Sequence, residues 1–207
     1  MNIKPIQMRR IKQQGMSLIG MLAALVILGL LSISIYKFAS SAKESAKAKI
    51  LIDDVRGMLS AAKSIKGIDD VASIGALIQS KELYPSTWKP LENSGLHNQF
   101  ETQWGIVGVT GAGNWFGENP PGFTANDGIH LFIQKVPLSI CYKVLNTLQS
   151  EVGYISYGAA PGEKKGTFEG IVKSYSVPYS TTSASQACDD RSSNGAKSVA
   201  IRLAVWA

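Results

Sequence analysis

The hydrophobic pattern divides the first third of the chain into two parts. From Met16 to Tyr36 there are 21 consecutive residues without a charge, and most are apolar. About 20 such residues are enough for one helix to span a bilayer. Residues 37–66 contain no proline, and their apolar residues, Leu51 and Val55 among them, recur at helical spacing. The pattern therefore predicts that the helix continues with a single apolar face and ends near Gly67.

The rest of the chain predicts a mixed domain. We expect a short helix within residues 67–100, and a second helix that Pro137 opens and Gly153 ends. Alternating apolar residues predict the strands, which are residues 104–110, 129–135 and 198–206. Polar and glycine-rich composition predicts the loops, which are residues 111–128, 158–170 and 180–195. A long helix followed by strands and one more helix predicts the α+β class with an antiparallel sheet.

The charge is concentrated before the apolar run. The net charge is +6, and residues 1–15 supply +4 of it without a single acid. A basic flank before an apolar run predicts a cytoplasmic N-terminus and an external C-terminal part. No clustered basic face is visible elsewhere, so no specific nucleic-acid site is expected. A removed signal peptide, cleaved near Ala46-Lys47-Ala48, is the alternative, although such peptides have shorter apolar regions of about 7–15 residues.

The junction between the basic leader and the apolar run has a recognisable pattern. Gly15 stands directly between the basic leader and the apolar run that begins at Met16. This junction resembles the leader of type IV prepilins. In that family a dedicated peptidase cuts after the glycine, methylates the new N-terminus and leaves the apolar segment in place. The resemblance implies cleavage between Gly15 and Met16; a plain signal anchor with an incidental glycine is the alternative.

The apolar run departs from the family pattern at its fifth residue. Most type IV pilins have a glutamate there, and the family pairs this acid with the N-terminal amine of a neighbouring subunit. This chain has Gly20 instead, and no acid occurs between Met16 and Tyr36. Minor tip subunits and pseudopilins sometimes lack the acid, so Gly20 favours a minor or initiating subunit. Gly20 and Gly29 are expected to permit close helix approach or local unwinding during assembly, unless the helix merely tolerates them. Leu51 and Val55 are the assembly residues predicted on the amphipathic continuation.

The two cysteines, Cys141 and Cys188, both fall in the part expected outside the membrane. An even number in an oxidising compartment predicts a disulfide, with two free buried thiols as the alternative. The chain-entropy model assigns such a long loop about 4 kcal/mol. Here the chain resembles type IVb pilins, the group of the toxin-coregulated and bundle-forming pili. They link a mid-domain helix to a point near the C-terminus, and the leader length and non-aromatic Met16 also fit that group.

Enzyme activity is not expected, and neither a cofactor nor a metal is predicted. His97 and His130 each stand without a cysteine or acid at metal-ligand spacing. His130 lies on a predicted strand opposite an apolar face, which favours a surface or interface position. The glycines of residues 108–113 lack the spacing of a phosphate-binding loop. Adjacent acids such as Asp53-Asp54 and Asp69-Asp70 point apart, which is typical of a solvated face.

A binding surface is predicted on the loops. Residues 111–128 and 154–195 are candidate contacts to a host or neighbouring cell, with Trp115, Phe116 and Phe123 as exposed aromatic candidates. The alternative is that these rings pack under their own loop. A membrane-anchored periplasmic binding protein that does not polymerise, or a secretion-system pseudopilin, remains an alternative for the whole chain.

The resemblance implies a pilin fold and a four-part plan. The parts are a leader (1–15), a transmembrane and filament-core helix (16–38), its amphipathic continuation (39–66) and a globular domain (67–207). The implied partners are sister pilin subunits, the prepilin peptidase, the inner membrane and the pilus assembly platform. The subunit is expected in the inner membrane first and then in an extracellular pilus, which would serve adhesion, aggregation or conjugation.

Overall fold

A computed structural model describes residues 18–65, 74–91, 98–110, 128–158, 168–193 and 195–206. The chain divides into two compact units, Met1–Lys43 and Glu44–Ala207. In chain order the elements are α1 (Leu18–Ser64), α2 (Ile74–Ser80), β1 (Lys89–Pro90), β2 (Asn98–Thr102), β3 (Gly105–Thr110), β4 (Gly128–Pro137), α3 (Leu138–Leu148), β5 (Tyr154–Gly158), β6 (Phe168–Lys173), α4 (Thr181–Ser193) and β7 (Ser198–Trp206).

Helix α1 confirms the prediction of one helix that continues beyond the apolar run. Its sequence is rich in Ala, Leu and Lys, which are good helix formers, and it contains no proline. The stripe read from the sequence is the face that packs within the Glu44–Ala207 unit. Its buried members are Ala48, Leu51, Ile52, Val55, Met58, Leu59 and Ala62.

The sheet of the Glu44–Ala207 unit is antiparallel at every pairing between described strands. Its seven described strands follow the order β1-β2-β3-β4-β7-β5-β6. The C-terminal strand β7 therefore lies between β4 and β5, where it joins the two halves of the sheet. The buried face of α1 and the apolar residues of these strands belong to one core cluster, which confirms the predicted α+β class.

Strands β4 and β7 form the centre of the sheet. Their inward residues pair across the strands, Leu131 with Leu203 and Ile133 with Ile201, and all four are buried. The residues that alternate with them are also buried, including His130 and Arg202. The sheet is thus covered on both faces at its centre, whereas alternation in the sequence suggested one solvent-exposed face.

Helix α3 agrees with the helix predicted after Pro137, and its apolar side joins the core. Helix α4 corrects the predicted loop at residues 180–195. Its sequence has no apolar stripe, and Ala184, Ala187 and Cys188 are buried on it. Ser180 Oγ accepts the Ser183 N–H at 3.4 Å, so a serine caps the first turn. The loop predicted at residues 158–170 is corrected in part, because β6 begins at Phe168.

Candidate processing and assembly segment

The apolar half of α1 has almost no cover within its own unit. Large side chains such as Leu25, Leu28 and Ile35 are more than half exposed. Among the described residues, α1 is the helix that is long and apolar enough to cross a membrane by length and composition. Such a continuous apolar surface is unfavourable in water and marks an interaction with lipid or with other helices.

The polar atoms of this half are satisfied inside the helix. Ser32 Oγ donates to the Leu28 carbonyl at 2.8 Å, and Ser34 Oγ donates to the Leu30 carbonyl at 3.0 Å. A hydroxyl without a partner is costly in hydrocarbon, and this back-bonding removes that cost. The two serines therefore do not conflict with a position in lipid.

The predicted site glycines are placed only in part. Gly20 is half-buried on α1, and a Cβ at Gly29 would have no neighbour within 4 Å apart from the adjoining backbone of its own helix. A larger residue at position 29 would therefore meet no other part of the single chain. Gly15 and Met16 lie outside the described residues. The roles of these four residues in processing and assembly stay predictions.

Leu51 and Val55 are both fully buried in the core of the Glu44–Ala207 unit. In the single chain their side chains contact the unit's own core rather than a surface open to a neighbour. Burying such a side chain contributes about 1.5–3 kcal/mol. The structure therefore places both residues in the core of their own unit, and their role in assembly stays a prediction.

Polar contacts fix the same helix at its rim. Arg56 Nε donates to Glu151 Oε1 at 2.9 Å, and Arg56 Nη2 donates to the same carboxylate. Glu151 lies in the turn after α3, and Lys173 Nζ donates to the Val152 carbonyl of that turn at 2.7 Å. Partial burial lowers the pKa of Lys173. The turn thus connects α1 with edge strand β6.

On another side of α1, Trp88 Nε1 donates to Asp54 Oδ2 at 3.2 Å. Desolvation raises the pKa of Asp54, and the bond from Trp88 opposes that shift. Trp88 packs on Phe100 with ring centroids 5.7 Å apart. Asp54, predicted from the sequence to be part of a solvated pair, is therefore half-buried and binds the residue that precedes β1.

The predicted disulfide is present. Cys141 on α3 and Cys188 on α4 are bonded, with their Cα atoms 6.0 Å apart. The bond links the two helices and is shielded from solvent, since Cys141 is fully buried and Cys188 nearly so. It attaches the polar helix α4 to the core.

His130 corrects the expectation of a surface or interface position, because it is 1% exposed. Arg202 Nη2 lies 3.5 Å from its Nδ1. Burial, and secondarily the Arg202 charge, lowers the pKa of His130 to about 4. Burial of Arg202 could not be predicted from the sequence, because a single cation in a terminal strand is usually on the exposed face.

The binding surface predicted from the sequence covers residues 111–128 and 154–195. Trp115, Phe116 and Phe123 lie outside the described residues. The segment 154–195, predicted as loop, contains β5, β6 and α4 instead. Tyr175, between β6 and α4, is 87% exposed and is an aromatic residue of this surface beyond the three that were predicted. Across the described ranges, no three His, Cys, Asp or Glu side chains group as a metal site would require.

Comparison with known proteins finds a family motif in the N-terminal segment. Residues 10–36 match the family model described as the prokaryotic N-terminal methylation motif. The chain therefore carries this motif, and the resemblance of its leader and apolar run to type IV prepilins is confirmed. The matched range includes Gly15, Met16 and Gly20. No curated protein matches the chain.

Two solved structures of pilins are similar to this chain. The type IV b pilin from Salmonella typhi is 15% identical and aligns over 75% of this chain and 97% of its own, with a TM-score of 0.48. TcpA, a type IV pilin from the Vibrio cholerae El Tor biotype, is 8% identical and aligns over 80% and 98%, with a TM-score of 0.44. Since both TM-scores are below 0.5, the fold description rests on the helix and sheet given above.

Proposed function

We propose that this chain is the precursor of a type IVb-like pilin or minor pilin subunit. The observation that carries the proposal is the methylation motif of residues 10–36. The motif runs into α1, whose exposed apolar half needs a nonaqueous partner. The protein is then a structural subunit, and the chemistry performed on it belongs to a separate peptidase.

Processing is the first step of this proposal. The prepilin peptidase hydrolyses the peptide bond between Gly15 and Met16 and methylates the new amine. Residues 1–15, with all four of their cations, leave the subunit. The apolar helix stays in the inner membrane with the Glu44–Ala207 unit on the periplasmic side.

Assembly is the second step. Lipid tails are as apolar as the helix, so packing of small residues, rather than hydrophobic burial, favours association between sister helices. Gly20 and Gly29 provide such positions on α1. Leu51 and Val55 keep the amphipathic, C-terminal part of α1 attached to its own domain while the subunit moves onto the assembly platform.

Gly20 favours a minor or initiating subunit. A chain without an acid in its apolar run cannot pair with the amine of a neighbour in the way that the family resemblance implies. The same observation favours the second candidate, a membrane-anchored periplasmic protein that does not polymerise; a secretion-system pseudopilin shares the feature. Host or neighbouring-cell contact belongs to the exposed surface of the globular domain.

Substitution of Gly15 tests the proposal in the native host. We expect Gly15→Val to leave the unprocessed precursor in the membrane, because the added side chain blocks close approach of a protease to the backbone. Gln14→Ala is the matched control and should be processed normally. Intact mass and immunoblots of sheared filaments are the readouts. A normal mature mass for Gly15→Val contradicts the claim that the peptidase recognises Gly15 and cuts after it. An unsubstituted protein that is processed but absent from filaments supports the anchored alternative.

A further inference from the structure

A cluster of three residues ends the apolar half of α1. Tyr36 and Phe38 are 76% and 78% exposed, and Lys37 lies between them. Residues 18–35 contain no aromatic and no charged side chain. After Phe38 the chain continues with small residues, Ala-Ser-Ser-Ala, before the next charges. The cluster is therefore the boundary between the lipid-like surface and the polar part of the helix.

The length of the segment places this cluster at a membrane surface. The helical residues from Leu18 to Tyr36 rise about 28 Å at 1.5 Å per residue. The hydrocarbon core of a bilayer is about 30 Å thick. If the segment spans the core, Tyr36 reaches the layer of glycerol and headgroups on the outer side.

The side chains of the cluster suit that layer. Positions two apart on a helix differ by about 200° around the axis, so the rings of Tyr36 and Phe38 point to opposite sides. Tyr36 has an apolar ring and a polar tip, and Lys37 can extend its ammonium towards the headgroups. Aromatic residues with flanking cations are typical anchors at membrane interfaces.

We propose that Tyr36, Lys37 and Phe38 are an interfacial anchor that fixes the depth of the unassembled subunit in the outer leaflet. The partner is the glycerol and headgroup layer of the bilayer itself. This inference rests on the proposed function, because it requires the apolar helix to lie in the membrane before assembly.

Once the leader has been removed, the anchor opposes movement of the helix in one direction only. The four leader cations oppose outward movement, since each must cross the hydrocarbon, and processing removes them. The remaining cluster lies on the exit side and leaves the membrane without crossing its core. Processing therefore permits outward withdrawal, while the anchor prevents the helix from sinking inward.

Thiol labelling of the full chain in native membranes tests the anchor. Ser34→Cys and Ser40→Cys are single reporters on either side of the cluster, and the native cysteines are bonded to each other. A membrane-impermeant maleimide should label position 40 at least about tenfold faster than position 34, because only the former is in water. Tyr36→Ala with Phe38→Ala should reduce this ratio to about threefold or less, and tryptophan at both positions should restore it.

Leu30→Ala with Leu31→Ala is the matched control, because both leucines are exposed on the same segment. Its ratio should stay at the value of the unsubstituted chain. An unchanged ratio in the aromatic double variant overturns the anchor, as does an equal loss in the leucine control. Equal labelling of both reporters in the otherwise unsubstituted chain shows that the helix is not in the membrane, which also overturns the proposed function.

Discussion

Gly170 on edge strand β6 is packed directly under an aromatic ring. It pairs with Tyr157 of β5 across the sheet. A Cβ built on Gly170 would overlap atoms of the Tyr157 ring. The ring therefore occupies the space that a side chain at position 170 would need, and the glycine is required for close approach rather than for a turn.

Substitutions of Gly170 and Gly57 by alanine should change the stability in opposite directions. Gly170→Ala should lower the free energy of unfolding by about 1–3 kcal/mol, because Tyr157 must move. Gly57→Ala is the matched control, since a Cβ at Gly57 in α1 would have no neighbour within 4 Å apart from the adjoining backbone of its own helix. It should raise stability by up to about 1 kcal/mol through helix propensity. Urea unfolding midpoints of both variants check the pair, and equal shifts in the same direction contradict the packing account.

His130 predicts a loss of stability in mild acid. Its pKa is about 4 in the folded chain, against an ordinary value of 6.5. Between these values the unfolded chain binds more protons, so stability falls as the pH falls from 6.5 towards 4. The contribution is fully present above pH 6.5, and its loss amounts to at most about 3 kcal/mol.

Unfolding at several pH values compares the unsubstituted chain with His130→Gln. The variant lacks the titrating imidazole, so its stability should depend less steeply on pH between 4 and 6.5. The slopes are compared rather than the absolute stabilities, because a new side chain beside Arg202 changes packing as well. Parallel pH profiles would show that His130 does not carry this dependence.

At the scale of elements, α4 depends on its attachment. It runs from Thr181 to Ser193, and most of its side chains are polar. Isolated helices shorter than about 12–15 residues are marginal in water. The described contacts that hold it to the core are the Cys141–Cys188 bond and the small buried side chains of Ala184 and Ala187.

Cys188→Ser should therefore allow α4 to unfold locally while the sheet stays folded. We expect faster proteolysis within residues 181–193 and a loss of about 2–4 kcal/mol in global stability. Ser185→Ala on the same helix is the control, because it removes only the exposed bond to Asp189. Limited proteolysis with fragment masses gives the readout. If Cys188→Ser resists cleavage as well as Ser185→Ala does, the bond does not hold the helix.

The elements predicted from the sequence are those with a strong periodic signal. Helix α1 and strands β3, β4 and β7 have apolar repeats, and their predicted bounds agree with the observed ones to within about two residues. Helix α3 also has such a repeat, but it ends at Leu148 rather than at the predicted Gly153. Helix α4 lacked such a repeat, and its serine cap was the usable signal. Strands β5 and β6 are short and border glycine-rich sequence. Burial of His130 was missed because alternation alone does not reveal that β4 is covered on both faces.

At the scale of the whole molecule, the processing signal could be predicted from the sequence better than the role of the buried helix face. The signal consists of residues adjacent in the chain, so the basic leader, Gly15 and the apolar run are visible directly in the sequence. The apolar stripe with Leu51 and Val55 was also visible, but periodicity cannot tell a domain's own core from a subunit interface. The structure places both residues in the core of the Glu44–Ala207 unit.

The most direct test of the central claim is the intact mass and N-terminal sequence of the protein purified from its host's membranes. The account predicts an N-terminus at Met16 that carries one added methyl group. Protein beginning at Met1 would contradict processing and leave a signal-anchored chain. An N-terminus near Lys49 would show that the apolar helix is removed, and it would contradict the filament subunit altogether.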